Sequence, residues 1–387
     1  MTARPQPDKG YQGLSRPEAT LPSRFYYDPA PFEAELRAIW YRHWIYLCRA
    51  SDLPETRCFR CFKIGSQQVL LLRDESGHLR AFYNTCRHRG AELCQAQSGR
   101  FTSKRIICPY HRWIYSLQGE LQRTSSLEEP EGFCRDDYSL YDVALEVWGG
   151  FVFVNLSGED TTFLAESFDR DSARLDNWPL EELRPLRHYR KVMDCNWKLF
   201  WENFNECLHC PGVHPALSKL VPIYGRGLMS EREDPSWLDH VGDDDPKYRG
   251  GLRHGAETWS QDGRAQAKPF AGLSAAERAA GQSYVTCMPS TFVAAHVDYV
   301  RVVRLLPLGP ERTELSVDWL FSPETAADPN FDPAGIVDFV IEVLEEDAAA
   351  CELNQRGIKS RPHGAGVLMP EEYLLKDFRD WVLAALD

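Results

Sequence analysis

Hydrophobic and polar positions change their period several times along this chain. Residues 1–30 carry Pro5, Pro7, Pro17, Pro22 and Pro29 and read as an extended arm. From Pro31 to Trp44 the apolar residues Phe32, Leu36, Ile39, Trp40 and Trp44 recur at helical spacing behind a proline at the favoured first position, which predicts a helix. From about Arg57 to Leu156 short β runs alternate with turn residues. Val69–Arg73 and Leu79–Asn84 flank Asp74-Glu75-Ser76-Gly77 as a hairpin, Trp113–Leu117 meets Gln118-Gly119, and Phe151–Asn155 closes the section. The expectation is about 110 residues of antiparallel β structure.

Beyond Leu164 the pattern is mixed. A helix is predicted over Trp197–His209. Ser218–Gly281 is polar and glycine-rich, with Asp243-Asp244-Asp245 and Gly250-Gly251, and is either a lid or a plain surface insertion. Tyr284–Val293, Tyr299–Leu306 and Glu314–Phe321 read as three strands. A last helix runs from Asp332-Pro333 to Gly357, with aspartate in front and glycine behind. Strands followed by a long helix predict an α+β class. There are no repeats, and nothing matches GxGxxG or a P-loop, so a Rossmann turn carrying NAD(P)H is not expected.

A chain of 387 residues exceeds what one core usually holds, so two domains are expected. With 44 Lys+Arg against 57 Asp+Glu the net charge is −13, which would repel phosphate backbones and argues against nucleic acid as a partner. No uncharged apolar stretch approaches the roughly 18–20 residues of a membrane span. Met1–Gly10 holds no apolar run that could serve as a secretory signal. A cytoplasmic protein is the expectation, and in that compartment its 12 cysteines are not expected to build a disulfide framework. What matters is which cysteines stand beside histidines.

Cys86-Arg87-His88 and Cys108-Pro109-Tyr110-His111 form C-x-H and, after 19 intervening residues, C-x-x-H. Each half ends a predicted strand, where a loop can aim two ligands at a shared metal. Zinc sites more often pair cysteine with cysteine at close spacing. The alternating order suits a [2Fe–2S] cluster with one iron on two thiolates and the other on two imidazoles. Replacing two anionic thiolates by neutral histidines raises the potential into the Rieske range. A structural zinc site is the alternative.

A second constellation lies in Trp201-Glu202-Asn203-Phe204-Asn205-Glu206-Cys207-Leu208-His209-Cys210-Pro211-Gly212-Val213-His214-Pro215. On a continuous helix five residues turn through about 500°, which would leave His209 and His214 on different faces. Pro211-Gly212 is expected to break the helix, so that His209 closes it and His214 returns from a new direction. Two imidazoles need a carboxylate to complete the facial triad of a non-haem Fe(II) oxygenase. The last helix offers one: its apolar stripe reads Ile336, Val340, Val343, position 347 and Cys351, and of Glu345, Glu346 and Asp347 only Asp347 falls on it. A carboxylate there is costly to bury unless paired or metal-bound. An aspartate at a wet helix end is the plain alternative.

The segments Asn84–Ala91 and Cys108–Tyr115 resemble the Rieske domain of ring-hydroxylating oxygenase α subunits. Arg112 departs from the family, which more often has glycine there, and sets a bulky cation near the cluster. The histidine pair with an acid three residues earlier, and the run Glu346-Asp347…Cys351-Glu352…Gln355-Arg356-Gly357, resemble the catalytic domain of the same family. The resemblance spans roughly Leu21 to Ser360. It implies a Rieske antiparallel β domain inserted in a helix-grip (START-like) catalytic domain. The division expected is an arm and helix over 1–42 packing on the catalytic domain, the Rieske domain over 43–160, and the catalytic domain over 161–387.

The resemblance also implies a chemistry. A separate reductase with flavin or iron–sulfur centres, possibly through a ferredoxin, would pass electrons from NAD(P)H to a cluster on Cys86, His88, Cys108 and His111. They would reach Fe(II) on His209, His214 and Asp347, where O2 is used to hydroxylate a small molecule. Family members are usually trimers in which one subunit's cluster faces its neighbour's iron, and Glu206 matches the acid that bridges the two. Glutamate in a Glu-Cys-x-His-Cys context is similar to the branch of choline, carnitine and glycine betaine monooxygenases, whereas many ring dioxygenases carry aspartate. Phe204, Trp237, Tyr284, Phe292, Tyr299, Trp319 and Phe321 could cage a quaternary ammonium or be ordinary core. An N-demethylating monooxygenase and an aromatic-ring hydroxylase are both carried forward, with an electron carrier and a zinc-stabilised binding module behind them.

Overall fold

The computed structural model describes residues 10–158, 161–168 and 172–387. Two compact units share the chain: one gathers Met1–Ile39, Arg170–Thr286 and Phe292–Asp387, the other Trp40–Asp169 with Cys287–Thr291. The first helix spans Pro29–Glu35, capped by Asp28, whose side chain accepts from the Ala30 N–H, and continues as a wider turn over Leu36–Trp40. It stops short of the expected Trp44.

The second unit is built of short antiparallel strands. Leu79–Tyr83, Gln67–Arg73, Cys58–Ile64 and Ser98–Arg100 form one sheet in that order, and Arg105–Ile107, Ile114–Ser116 and Leu121–Arg123 a second. Ala144–Trp148, Phe151–Asn155 and Ile45–Arg49 make a third. The expected hairpin is present, and Asp74 explains its turn: its Oδ1 accepts the N–H groups of Ser76 and His78, both at 2.9 Å. Gly77 there holds φ +85°, a conformation open to glycine at no steric cost. Between the sheets Phe59, Leu70, Leu72, Phe82, Ile106 and Tyr115 form a buried cluster into which Cys86 and Cys108 project.

The first unit holds a five-stranded sheet in the order Arg184–Met193, Arg312–Phe321, Val300–Gly309, Thr291–His296, Gln282–Cys287. The predicted strand Tyr284–Val293 is two strands, because the chain turns through Met288-Pro289-Ser290. Every residue of Thr291–His296 is buried, which removes the alternation that would have shown the second strand. Arg184–Met193 went unpredicted for the opposite reason. It is an edge strand, and edges are commonly blunted with charge, here Arg184, Arg187, Arg190 and Lys191. The long helix runs Ala334–Ile358, one residue past Gly357, with Asp332 accepting from the Ala334 N–H. Its buried face carries Ile336, Val340, Val343 and Cys351 as expected. A further helix, Tyr373–Leu386, buries Leu375, Phe378 and Val382 at helical spacing that the sequence reading passed over.

Ser218–Gly281 is not a plain loop: it is ordered into short elements, and Tyr224, Met229 and Trp259 from it line the cavity of the candidate site. Short helices at Pro215–Leu220, Pro246–Arg249 and Ala275–Ala280 are joined by turns, and Leu252, Trp259, Phe270 and Leu273 are buried. Asp298 fixes its middle by accepting from Thr258 Oγ1 at 2.8 Å and from the N–H groups of Gln266 and Ala267.

The helix Trp197–Phe204 leads into the histidine loop, and a buried ion pair fixes it. Lys198 Nζ donates to both Glu35 oxygens at 2.7 and 2.8 Å, with both side chains fully buried, and Trp197 Nε1 donates to the same carboxylate at 2.9 Å. Tyr26 donates to Glu202 at 2.6 Å, and Gln355 on the long helix accepts from the Asn196 N–H and donates to the Tyr26 carbonyl. Lys198→Met would leave the Glu35 carboxylate buried without its cation. We expect it to cost roughly 3–5 kcal/mol in urea unfolding, with Glu35→Gln in the same chain recovering part of the loss.

Candidate functional site

The two cysteine–histidine motifs sit in loops at the ends of strands. In the first, the Cys86 N–H donates to the Ala91 carbonyl at 2.8 Å and the Gly90 N–H closes back on the Cys86 carbonyl at 2.9 Å. In the second, the Cys108 N–H donates to the Trp113 carbonyl and the Arg112 N–H returns to Cys108. The loops are thus near-copies, each a tight turn stapled at its cysteine. Cys86 and Cys108 are 2 % and 1 % exposed, whereas His88 is exposed and His111 half-buried. The two imidazoles stand with ring centroids 4.6 Å apart, and Trp113 stacks on His88 at 4.8 Å. Burial pushes the Cys86 thiol up, and the neighbouring Cys108 adds to it, although a hydrogen bond with Tyr115 at 3.2 Å opposes the shift. Two inner sulfurs and two outer nitrogens are the donor chemistry of a cluster with one thiolate-held and one imidazole-held iron.

The second constellation departs from expectation in its backbone. The helix ends at Phe204, not at His209, and Glu206 lies in the irregular segment after it. Pro211 and Gly212 do not break a helix. They sit in the one-turn helix Cys210–Val213, which begins after His209 and ends before His214, with proline in the first turn where its missing N–H costs nothing. That single turn carries the chain from one imidazole to the other. Cys207 and Cys210, on either side of His209, are joined as a disulfide, a single local bridge where no disulfide framework is expected.

Three groups from distant parts of the sequence converge here. His209 Nε2 and His214 Nε2 are 3.2 Å apart, and Asp347 Oδ1 lies 3.5 Å from the first and 2.9 Å from the second. Each ring is held from behind by a carboxylate: His209 Nδ1 by Glu206 Oε1 at 2.5 Å, and His214 Nδ1 by Glu346 Oε2 at 2.7 Å. Carboxylates only accept, so both Nδ1 atoms carry protons and both Nε2 atoms are directed at Asp347. Glu345 and Glu346 both fall off the apolar stripe, but they do not share a role. Glu345 does face outward, bonded to Tyr189 and Lys191, but Glu346 orients a candidate ligand.

Electrostatics agree with that picture. Burial pulls His209 down, but Asp347 and Glu206 outweigh it and lift its pKa to about 9. His214 is likewise raised against burial by Asp347 and Glu346. Burial opposes the charge on Asp347, and the two histidines overcome it and hold the carboxyl below its ordinary range. Two imidazole Nε2 atoms and a carboxylate oxygen, all within 3.5 Å of one another, are the ligand types that a divalent cation takes. The donor set fits such an ion.

The site opens into a cavity of about 770 Å³, counted to its mouth. Of the seven aromatics named from sequence, Phe204, Tyr284 and Phe292 line it. Tyr299, Trp319 and Phe321 are core residues with no exposure, and Trp237 lies elsewhere against Arg232 and Gly10. Phe200, Tyr224, Trp259 and Arg301, which no sequence pattern singles out, also line it. Tyr224 and Trp259 come from the segment that lacked periodicity, which is why no pattern pointed to them.

Residues 43–134 match the Rieske [2Fe–2S] domain model, and residues 180–387 match the catalytic domain of ring hydroxylating α subunits. The chain is 28 % identical to a glycine betaine monooxygenase oxygenase subunit of Chromohalobacter salexigens, over 94 % of this chain and 84 % of that one. It is 27 % identical to a carnitine monooxygenase oxygenase subunit of Acinetobacter pittii, over 91 % and 89 %. A solved quaternary ammonium Rieske monooxygenase, studied for carnitine oxidation by gut microbiota and inter-subunit electron transfer, superposes with TM-score 0.71 at 23 % identity over 94 % of this chain and 95 % of that one. No helix among the described residues is long and apolar enough to cross a membrane.

Arg112 holds φ +58°, the left-handed region that favours glycine, in the middle of the second cysteine–histidine loop. A non-glycine residue there costs roughly 1–2 kcal/mol, partly offset because glycine is freer in the unfolded chain. Arg112→Gly should therefore raise the unfolding free energy by up to about 1 kcal/mol. Denaturant unfolding followed through the visible absorbance of the cluster-loaded chain would read it, and a loss of stability would mean that the arginine side chain holds the loop.

Proposed function

Because the chain belongs to the ring-hydroxylating oxygenase α subunits with a Rieske domain, we propose that it is the terminal oxygenase of a system that removes an N-methyl group from a quaternary ammonium compound of the betaine type. Enzymes of this family use a [2Fe–2S] cluster, a mononuclear iron and O2, and take electrons from a separate reductase. Here Cys86, His88, Cys108 and His111 would hold the cluster, and His209, His214 and Asp347 the iron. When bound, these groups supply electron relay and O2 activation for insertion into a C–H bond.

The observation that carries the assignment is the pair of backing carboxylates. Glu206 and Glu346 each take an Nδ1 proton, so both Nε2 atoms face Asp347 across 2.9–3.5 Å. Second partners of this kind fix the tautomer and orientation of a metal-binding histidine. Glu206 is also our candidate for the electron bridge. One of its oxygens holds the His209 ring; the other accepts the His209 N–H at 3.3 Å and keeps a second lone pair for a cluster histidine of a neighbouring subunit in a homotrimer. A ferredoxin or a flavin and iron–sulfur reductase would serve as donor, in the cytoplasm, where NAD(P)H is at hand.

For the substrate, the betaine and carnitine activities of the relatives favour an N-methylated cation over an arene. Phe204 and Tyr284 would supply π faces to the cation. Hydroxylation of an N-methyl carbon gives an N-hydroxymethyl group, which leaves as formaldehyde. An electron carrier would not need the catalytic domain matched over residues 180–387.

A panel assay with reductase, NADH and O2 tests the reading. We expect substrate-dependent formaldehyde from glycine betaine or carnitine and no diol from an arene; the reverse would restore the aromatic-ring reading. Asp347→Ala should lose the mononuclear iron and turnover while the visible spectrum of the cluster stays intact. Glu346→Gln should keep partial activity with iron held about 10–100-fold more weakly, measured by metal titration. Full activity in Asp347→Ala would assign the ligand role to another carboxylate.

A further inference from the structure

Arg301 lies on the strand Val300–Gly309, opposite Trp319, and lines the same cavity as His209, His214 and Asp347. It is 6 % exposed. Buried arginines are ordinarily paired with a carboxylate. This one is not: among the described residues no acid forms an ion pair with it, and its Nε has no acceptor. The guanidinium rests over the Trp259 ring at 5.0 Å and the Phe292 ring at 5.9 Å. The indole Nε1 of Trp259 is likewise buried without an acceptor. These two donors are the only unpartnered buried polar atoms that belong to cavity-lining side chains among the described residues. Both are donors, so what they lack is an acceptor.

The acids of the cavity are already engaged. Glu206 and Asp347 are bonded to the histidines, as Glu346 is behind them. A fixed positive charge thus shares a small cavity with a site that would place an N-methyl group for oxidation. A substrate carrying only a cation would meet Arg301 as a like charge. One that also carries an anion would bring the missing acceptor with it.

We infer that Arg301 anchors a carboxylate of the substrate, so that the enzyme selects zwitterions over simple ammonium alcohols. This rests on the quaternary-ammonium reading above only for the cationic half of the ligand. A carboxylate offers two acceptor oxygens, which suits the guanidinium fork and leaves an oxygen for Trp259 Nε1. Trp259 then acts as the platform beneath the arginine, and the faces left for the cation are those of Phe204 and Tyr284.

Calorimetric titration of the anaerobic holoprotein separates the two halves with three small ligands. Glycine betaine carries both groups, choline the ammonium without the carboxylate, and 3,3-dimethylbutyrate the carboxylate on an uncharged isostere. In the wild-type chain glycine betaine should bind at least tenfold more tightly than choline. Arg301→Met should abolish that preference, weakening both carboxylates by about ten- to a hundredfold. It should also raise the Tm of the ligand-free protein, since an unpaired buried charge is removed. If 3,3-dimethylbutyrate binds as well as glycine betaine and both depend on Arg301, the anchor stands and the ammonium reading falls. Equal binding of betaine and choline, failure of both carboxylates to bind the wild type, or an unchanged betaine-to-choline ratio in Arg301→Met would each overturn the anchor. Arg301→Lys, which keeps the charge and loses the fork, should retain part of the preference and guards against a misfolded Met variant.

Discussion

A carboxylate cannot be buried in a helix face without compensation, and that constraint organises the catalytic unit. Asp347 takes a place in the apolar stripe of the long helix where Val343 and Cys351 are its neighbours one turn away. Two imidazoles compensate it, and they must come from outside the helix. The chain brings them from a loop 133 residues earlier in sequence for His214. Once Asp347 is fixed, the loop has little freedom: each histidine is gripped at Nε2 by Asp347 and at Nδ1 by a second acid. Removing the aspartate would take the carboxylate from the Nε2 side of both rings at once, leaving His209 only the longer contacts to Asn203 and Cys210 there and the two rings facing each other at 3.2 Å.

The same loop depends on where its leading helix stops. Trp197–Phe204 is positioned by Lys198 on Glu35, a residue of the first helix, and by Gln355, a residue of the long helix. Both contacts lie in the catalytic unit, so the first helix is part of the scaffold of the candidate metal site and not a decorative arm. The buried pair is a costly choice in free-energy terms, since two ions leave water. What it provides is register: the helix cannot slide without exposing or orphaning a charge.

Much of this was legible from residues alone, and the boundary of legibility is physical. The cysteine–histidine spacings and the stripe through Asp347 are local patterns, and both led to groups that do converge. The backbone of the histidine loop departs from the sequence pattern because Pro211, a breaker in mid-helix, is tolerated in the first turn of a new helix at Cys210–Val213. Glu346 was passed over because its side chain reaches sideways from the stripe to His214, a contact with no periodicity. Strands were lost where burial was total, as at Thr291–His296, or where charge covered an edge, as at Arg184–Met193. The buried partners Glu35 and Lys198 are 163 residues apart and left no local trace.

Charge balance ties the cavity together. Around the candidate metal position stand Glu206, Glu346 and Asp347, three formal negative charges, and Arg301 adds one positive charge to the same cavity. A divalent cation on His209, His214 and Asp347 brings the sum to zero. In a poorly solvated cavity each uncompensated charge is expensive, so the bound state is best served by a ligand that adds none. A zwitterion meets that condition as a whole, and the separated acids and arginine also match its two ends. A free cation would leave the cavity net positive, with Arg301 still unpaired. The arrangement that would hold a metal therefore also constrains the overall charge of what can bind beside it, in part through Arg301, Glu206 and Glu346, which are not among its proposed ligands.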